Sequence, residues 1–479
     1  MLRLALAGAL ALPVLGALTV APPAVLAAEN DLEIELDIQS FTLDNGLRVY
    51  VVEDHSTPAF TINITYDVGS RDEVPGKTGF AHFFEHMMFQ GSKNLDDNMI
   101  GEYTERAGGY INAGTSFDQT IYFHNIPSQY LDMVLWGEAD RLQYLEITQE
   151  PFETQRAAVK SEKDRSDNQP FTKAIEEMIG TLFEGTPYSH MPIGSLEDLN
   201  AAKASDAEAF FKTYYVPNNA VMVIVGDVDF ANVQERVTHY FGKIPKGADK
   251  PPPPKSEMVH GRKIEKQIGD DKAKQTQWVW AWPTVGDEHA DRPAIDLLGN
   301  ILFGGESARV PKILTDEKKW TAGSGGGHLF AFRDAGGMIF FGVPTPDGEK
   351  NLDGVKKVLI DQLEKIAKRG VSSKELEKAI NQQLMNSVST LATNSGRATA
   401  IANGALFYDD PKRVLTDLER YRKVTSKDIK RVASQYINEN WVFYELVPAN
   451  KLDKAEPEAK TEAKTEAKAK AKDKAKATK

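Results

Sequence analysis

His82, Glu85 and His86 stand together in the stretch His82-Phe83-Phe84-Glu85-His86-Met87-Met88-Phe89, whose other members are all apolar. On a helix, positions i and i+4 share a face and i+3 lies beside them. Two imidazoles could therefore point at one metal ion, with a carboxylate next to it free to move a proton. The alternative is a buried helix with polar interruptions, and Phe83, Phe84, Met87 and Met88 suit both readings. Burial of two unpaired histidines is costly, which favours the metal reading. The chain has no cysteine, so any metal must be held by His, Asp and Glu. The spacing His-x-x-Glu-His reverses the familiar zinc-peptidase motif and is the inverzincin signature.

The elements that must position these residues follow from pattern. Phe41 to Val52 reads as strand, Asn45-Gly46 turn, strand. Phe60 to Val68 alternates as a further strand, and Ala220 to Gly226 is a short, fully apolar one. Helical patterns with charged faces fall at about 96–107, 128–146 and 150–168. Together these make residues 29–245 an N-terminal α/β domain. Residues 246–255 (KGADKPPPPK) form a proline-rich linker, expected to be a stiff extended spacer. Residues 256–450 form a second α/β domain. The halves share a faint repeat, in which Phe89-Gln90-Gly91 aligns with Phe303-Gly304-Gly305. That offset places Asp296, Gly299 and Asn300 where the first half has His82, Glu85 and His86, so the second half reads as a copy that has lost the metal-type residues.

The ends and the composition bound the rest. The 479 residues exceed one simple core. Apolar content of 41% and charged content of 26% are those of a soluble globular protein. A net charge of −12 argues against a nucleic-acid binder. Residues 1–28 carry one early cation, Arg3, an apolar run from Leu4 to Val20, and small residues before Glu29; they read as a cleaved signal peptide of an exported, periplasmic protein. No other segment approaches the length of a membrane span. The 451–479 tail is largely Lys, Ala and Glu and lacks the residues to build a core.

Val68 to Glu73, Gly79 to Ser92, Gly108 to Thr115, Tyr188 to Ser195 and Tyr214 to Ala220 together resemble the pitrilysin/insulinase family of zinc peptidases, which includes the mitochondrial processing peptidase. The resemblance covers nearly the whole mature chain, more strongly in its first half. It implies an α+β fold of two homologous α/β domains, each an antiparallel-rich sheet flanked by helices, forming half of a clam-shell. It implies one Zn2+ per chain on His82, His86 and a third ligand, Glu162, in Arg156-Ala157-Ala158-Val159-Lys160-Ser161-Glu162, with Glu85 as general base. Without the resemblance, Glu162 could not be chosen over Glu153 or Asp164. Asn112 and Ala113 match the strand on which relatives bind substrate as an added β-strand. Phe117 and Tyr122 read as core.

Two departures stand out. Many relatives have a Glu seven residues before the third ligand; here Gln155 can hydrogen-bond but cannot accept a proton. Self-sufficient relatives carry an Arg and a Tyr in the second half, where this chain has Thr315 and Ala322. The pattern is similar to the zinc-bearing subunit of two-chain, bacterial periplasmic members. It implies a homologous zinc-free partner carrying the Arg/Tyr pair, or a homodimer. Gly323 to Gly327 is expected to be a flexible turn between strands. The expected activity is zinc-dependent endoproteolysis of unfolded peptides. The competing expectation is a non-catalytic peptide-binding or assembly subunit that retains a zinc site.

Overall fold

The computed structural model describes residues 35–254, 257–259, 262–437 and 440–452. The signal segment and residues 453–479 of the tail lie outside the described residues. Among the described residues, no helix is long and apolar enough to cross a membrane.

The architecture is α+β with two sheets. The first is formed by β1 (Gln39–Thr42), β2 (Arg48–Glu53), β3 (Ala59–Tyr66), β4 (Tyr110–Thr115), β5 (Thr120–Pro127) and β6 (Ala220–Gly226), in the order β1-β2-β6-β3-β5-β4. Its helices are α1 (Phe80–Met87), α2 (Met99–Arg106), α3 (Leu131–Tyr144), α4 (Gln149–Asp167), α5 (Thr172–Leu182), α6 (Leu196–Ala201), α7 (Ala204–Tyr214) and α8 (Phe230–Phe241). The second sheet is formed by β7 (Lys263–Asp270), β8 (Gln277–Val285), β9 (Thr321–Ala331), β10 (Ala335–Pro344) and β11 (Trp441–Pro448), in the order β7-β11-β8-β10-β9. The second-half helices are α9 (Arg292–Phe303), α10 (Arg309–Pro311), α11 (Pro346–Glu349), α12 (Leu352–Arg369), α13 (Ser373–Leu391), α14 (Asn394–Tyr408), α15 (Arg413–Arg422) and α16 (Ser426–Tyr436).

Apart from β1, the sheets have one topology. In each, a parallel pair (β2 with β6; β7 with β11) is followed by antiparallel pairings out to the edge strand β4 or β9. The internal repeat is therefore structural, and α1 against β4 corresponds to α9 against β9.

Each half also lends a helix to the other. Ala174, Met178, Ile179 and Leu182 of α5 pack with Val279, Ala281, Ile339 and Tyr444 of the second sheet. Ala398, Ile401, Ala402 and Ala405 of α14 pack on Val221, Val223 and Val225 of β6. The opposite side of β6, through Met222 and Ile224, belongs to the first-half core. A strand buried on both faces has no place for polar alternation, which explains the unbroken run Ala220–Gly226. Charged bonds reinforce the join. Arg71 donates to Asp118 (3.1 Å), to the Tyr188 hydroxyl (3.0 Å) and to Asp334 (2.7 Å). Residues 246–254 have no helix or strand, and Lys250 within them pairs with Asp67 and Asp72, each at 2.9 Å.

One expectation is overturned. Gly323 to Gly327 is not a turn but the middle of β9, paired with β10. Glycines weaken a strand on their own account, but here they admit a close approach. A Cβ on Gly299 of α9 would lie 2.8 Å from the His328 nitrogen, and one on Gly326 would lie 2.0 Å from the Ile339 oxygen. Gly326 also has φ +151°, which side chains rarely adopt. The substitution Gly326→Ala is expected to destabilise the fold by roughly 2–4 kcal/mol, through backbone strain and overpacking. The check is the denaturant midpoint at unchanged m-value, and a loss below about 0.5 kcal/mol would contradict the close-packing explanation.

Candidate metal centre

Helix α1 spans eight residues, Phe80–Met87, and all but His86 are buried. Its apolar side is held by aromatic rings on two neighbours. Phe83 meets Phe152 of α4 edge-on at 5.0 Å, and Phe84 stacks on Phe211 of α7 at 5.5 Å and tilts against Tyr215 at 4.6 Å. With that side anchored, the helical spacing sends His82 and His86 out along the other, their rings 4.9 Å apart.

Helix α4 faces them. His82 Nε2 lies 3.7 Å from Glu162 Oε1, and His86 Nε2 lies 3.3 Å from Glu162 Oε2. One ligand atom from each of His82, His86 and Glu162 falls within 4.8 Å of the other two. His86 Nε2 is buried yet has no well-directed hydrogen bond. Burial, and then the neighbouring His86, push the His82 pKa down to about 4, so its ring is neutral near pH 7 and has a lone pair to give. Burial alone would raise the Glu162 carboxyl, but the close approach of His86 and then of His82 holds it below its ordinary range. Two imidazoles and a carboxylate that converge, one imidazole nitrogen among them without a hydrogen bond, are a donor set that fits zinc with a coordination position left open.

Glu85 lies outside the converging set. Its carboxylate is buried and accepts a hydrogen bond from the Thr115 hydroxyl at 2.7 Å. Burial raises its pKa, and the Thr115 bond and the His86 charge oppose that rise. Thr115 was not singled out from the sequence. Its signal lay in strand alternation: Ala113 and Thr115 share a face of β4, and both are buried.

Asn112 and Ala113 lie on β4, where Asn112 is half-buried and Ala113 buried. Strand β4 is the edge of its sheet, so its outer backbone groups have no strand partner among the described residues. Gln155 is half-buried on α4, two turns before Glu162. Phe117 and Tyr122 are core residues, as expected. Thr315 is engaged locally, its hydroxyl 2.7 Å from that of Thr321 and 3.2 Å from that of Ser324. Ala322 is exposed on β9.

The second half keeps the cleft and not the donors. An open groove of 730 Å³ between α9 and α13 is lined by Asn300, at the position aligned with His86, and by Asn381, Gln382 and Asn386. Asp296, aligned with His82, is bonded to His328 Nδ1 at 2.5 Å and to the Tyr421 hydroxyl. The Thr284 hydroxyl completes a Thr–His–Asp chain at 2.8 Å from His328 Nε2. The His328 side chain is 1% exposed, and a side chain on Gly336 would meet that same nitrogen, so the chain is closely packed.

The chain resembles known proteins in sequence and in fold. The sequence model for the insulinase family (peptidase family M16) matches residues 48–191, and that for the M16 inactive domain matches residues 201–383. The chain is 29% identical over 411 residues to the zinc protease PqqE of Helicobacter pylori, covering 84% of this chain and 90% of that protein. It is 25% identical over 430 residues to a probable mitochondrial-processing peptidase subunit beta of Arabidopsis thaliana, covering 87% and 79%. The crystal structure of a protease from H. pylori superposes with a TM-score of 0.78 at 27% identity, covering 86% of this chain and 100% of that one. The periplasmic protease PqqL of Escherichia coli shares the fold, with a TM-score of 0.70 at 19% identity over 86% of this chain and 48% of that one.

The purified chain is expected to take up one equivalent of zinc. His86→Ala or Glu162→Ala should each lower the affinity by roughly tenfold or more, read by competition with a chromophoric chelator. Unchanged affinity in either variant would remove that residue from the centre.

Proposed function

The chain belongs to the pitrilysin/insulinase (M16) family of zinc metallopeptidases, and from that premise we propose that it is a zinc-dependent endopeptidase acting on unfolded peptides. One observation carries the proposal: an otherwise apolar helix turns His82 and His86 toward Glu162 while Thr115 holds Glu85 beside them. His82, His86 and Glu162 would hold the ion. When bound, zinc supplies Lewis-acid polarisation of the scissile carbonyl and makes water a stronger acid.

The protein's own residues do the rest. Glu85 takes the proton from the attacking water and passes it to the leaving amine. Thr115 fixes the orientation of the Glu85 carboxylate. The free edge of β4 accepts the substrate as an added strand beside α1, with Asn112 and Ala113 along the contact. Only a chain without folded structure can lie along that edge, hence unfolded peptides or short polypeptides. Gln155 stands where many relatives have a Glu; it cannot carry charge and is expected to slow turnover.

Thr315 and Ala322 support a two-chain enzyme. A hydroxyl and a methyl cannot supply the positive charge and phenol that stabilise developing negative charge. We therefore assign that task to a homologous zinc-free subunit that carries the Arg/Tyr pair; a homodimer, the alternative assembly, would leave it unfilled at these positions. The fold match spans just under half of PqqL, at 48%, in keeping with a functional unit of two such halves. The same two residues favour the second reading, a non-catalytic peptide-binding or assembly subunit that retains zinc. Export to the periplasm rests on the composition of residues 1–28.

Glu85→Gln preserves shape and separates the two readings. Zinc content is expected to be retained while cleavage of unstructured peptides falls by about 10²–10⁴-fold; unchanged cleavage would refute the role given to Glu85. The zinc-loaded chain alone is expected to cleave slowly and to be accelerated by an Arg/Tyr-bearing homologous chain. Full, chelator-sensitive activity of the single chain would show that Thr315 and Ala322 impose no partner.

A further inference from the structure

Helix α1 has two turns, too few to be stable by itself, and its N-cap is Gly79, which has no side chain to offer the first free N–H groups. Those groups are satisfied from elsewhere. The buried Glu73 carboxylate accepts the N–H of Gly79 and the N–H of Ala81, each at 2.8 Å. Ala81 directly precedes His82. Glu73 is in turn held by His190 Nε2 at 2.8 Å.

The preceding residue is gripped by the same stretch of chain. Asp198 accepts both the backbone N–H and the hydroxyl of Thr78, at 2.9 and 2.5 Å. The backbones touch as well: a Cβ on Gly194 would lie 2.4 Å from the Gly79 nitrogen. Farther along, this stretch reaches the other metal helix. Arg156 of α4 donates to the Ala202 carbonyl, and Lys160 donates to Asn200 at 2.7 Å. One strap, residues 190–202, is therefore bonded at one end to the start of α1 and at the other to the helix that carries Glu162.

We propose that this strap sets the spacing of the metal ligands, with His190, acting through Glu73, as a positioning residue for the zinc centre. The inference rests on the metal reading of His82, His86 and Glu162. A ligand set must be held within about 0.5 Å of its productive geometry by residues behind it. Glu73 grips α1 one residue before His82, so a loosened first turn moves the His82 ring directly. His190 touches no ligand, which separates its role from that of the ligands themselves.

The test measures zinc affinity of the full chain by chelator competition, with circular dichroism to establish folding. His190→Ala is expected to weaken zinc binding ten- to a hundredfold. His190→Gln, whose amide can still donate to Glu73, should restore most of the affinity, an outcome that a purely space-filling role for the ring would not give. In turnover, kcat should fall with KM little changed. Wild-type affinity in folded His190→Ala, or a glutamine variant as weak as the alanine one, would overturn the proposal. If His190→Ala does not fold, Asp198→Ala decides: a loss of affinity is expected, and none would overturn it. A wild-type chain that binds no zinc would instead overturn the metal reading, and the strap's role with it.

Discussion

Two imidazoles and a carboxylate on one apolar, two-turn helix are the constraint around which the first half is built. Each buried polar group left unpaired costs about 1–3 kcal/mol. Aromatic rings of α4 and α7 therefore fix the apolar side of α1, and polar partners are supplied one by one to the rest. Glu162 faces the histidines, Thr115 takes Glu85, and Glu73 and Asp198 take the backbone groups at the helix start. The arrangement leaves an imidazole nitrogen unsatisfied at the point where the ligand atoms converge. An ion at that point would resolve the imbalance.

The second half meets the same topological problem by pairing its charges internally. Asp296, which the repeat places opposite His82, is buried between His328, Tyr421 and Arg292. Burial alone would raise its pKa, but His328 and Arg292 keep it below the ordinary carboxylate range. The two copies thus differ: one half gathers metal-type donors, and the other pairs its charges internally. The exchange of α5 and α14 across the sheets binds the two into a single packed unit.

Much of this was legible from residue order. The histidine spacing, the Asn45-Gly46 turn and the apolar β6 are local patterns, and local patterns survive folding. Glu162 was different: nothing in α4 distinguishes it from Glu153 or Asp164 until a resemblance singles it out. Thr115 and Glu73 were missed because their partners lie elsewhere in the chain, so their roles arise only when β4 and the loop before α1 close on the helix. The glycines of β9 were misread because propensity speaks for the isolated strand. Gly326 is required by its close approach to the Ile339 carbonyl of β10, and Gly299 of α9 by the approach of that helix to the β9 backbone, tertiary demands that composition does not display. The cross-packing of α5 and α14 was invisible for the same reason.

The central claim is that α1 and α4 together form a three-ligand zinc centre with a free carboxylate beside it. Anomalous diffraction at the zinc absorption edge, on crystals grown with zinc, tests it most directly. The account requires a single strong peak bonded to His82, His86 and Glu162, with the Glu85 carboxylate near the ion but outside bonding distance and still held by Thr115. A peak elsewhere, or no peak, would contradict the centre. A peak with Glu85 as a fourth protein ligand would make it a closed structural site and remove the base on which the proposed chemistry depends.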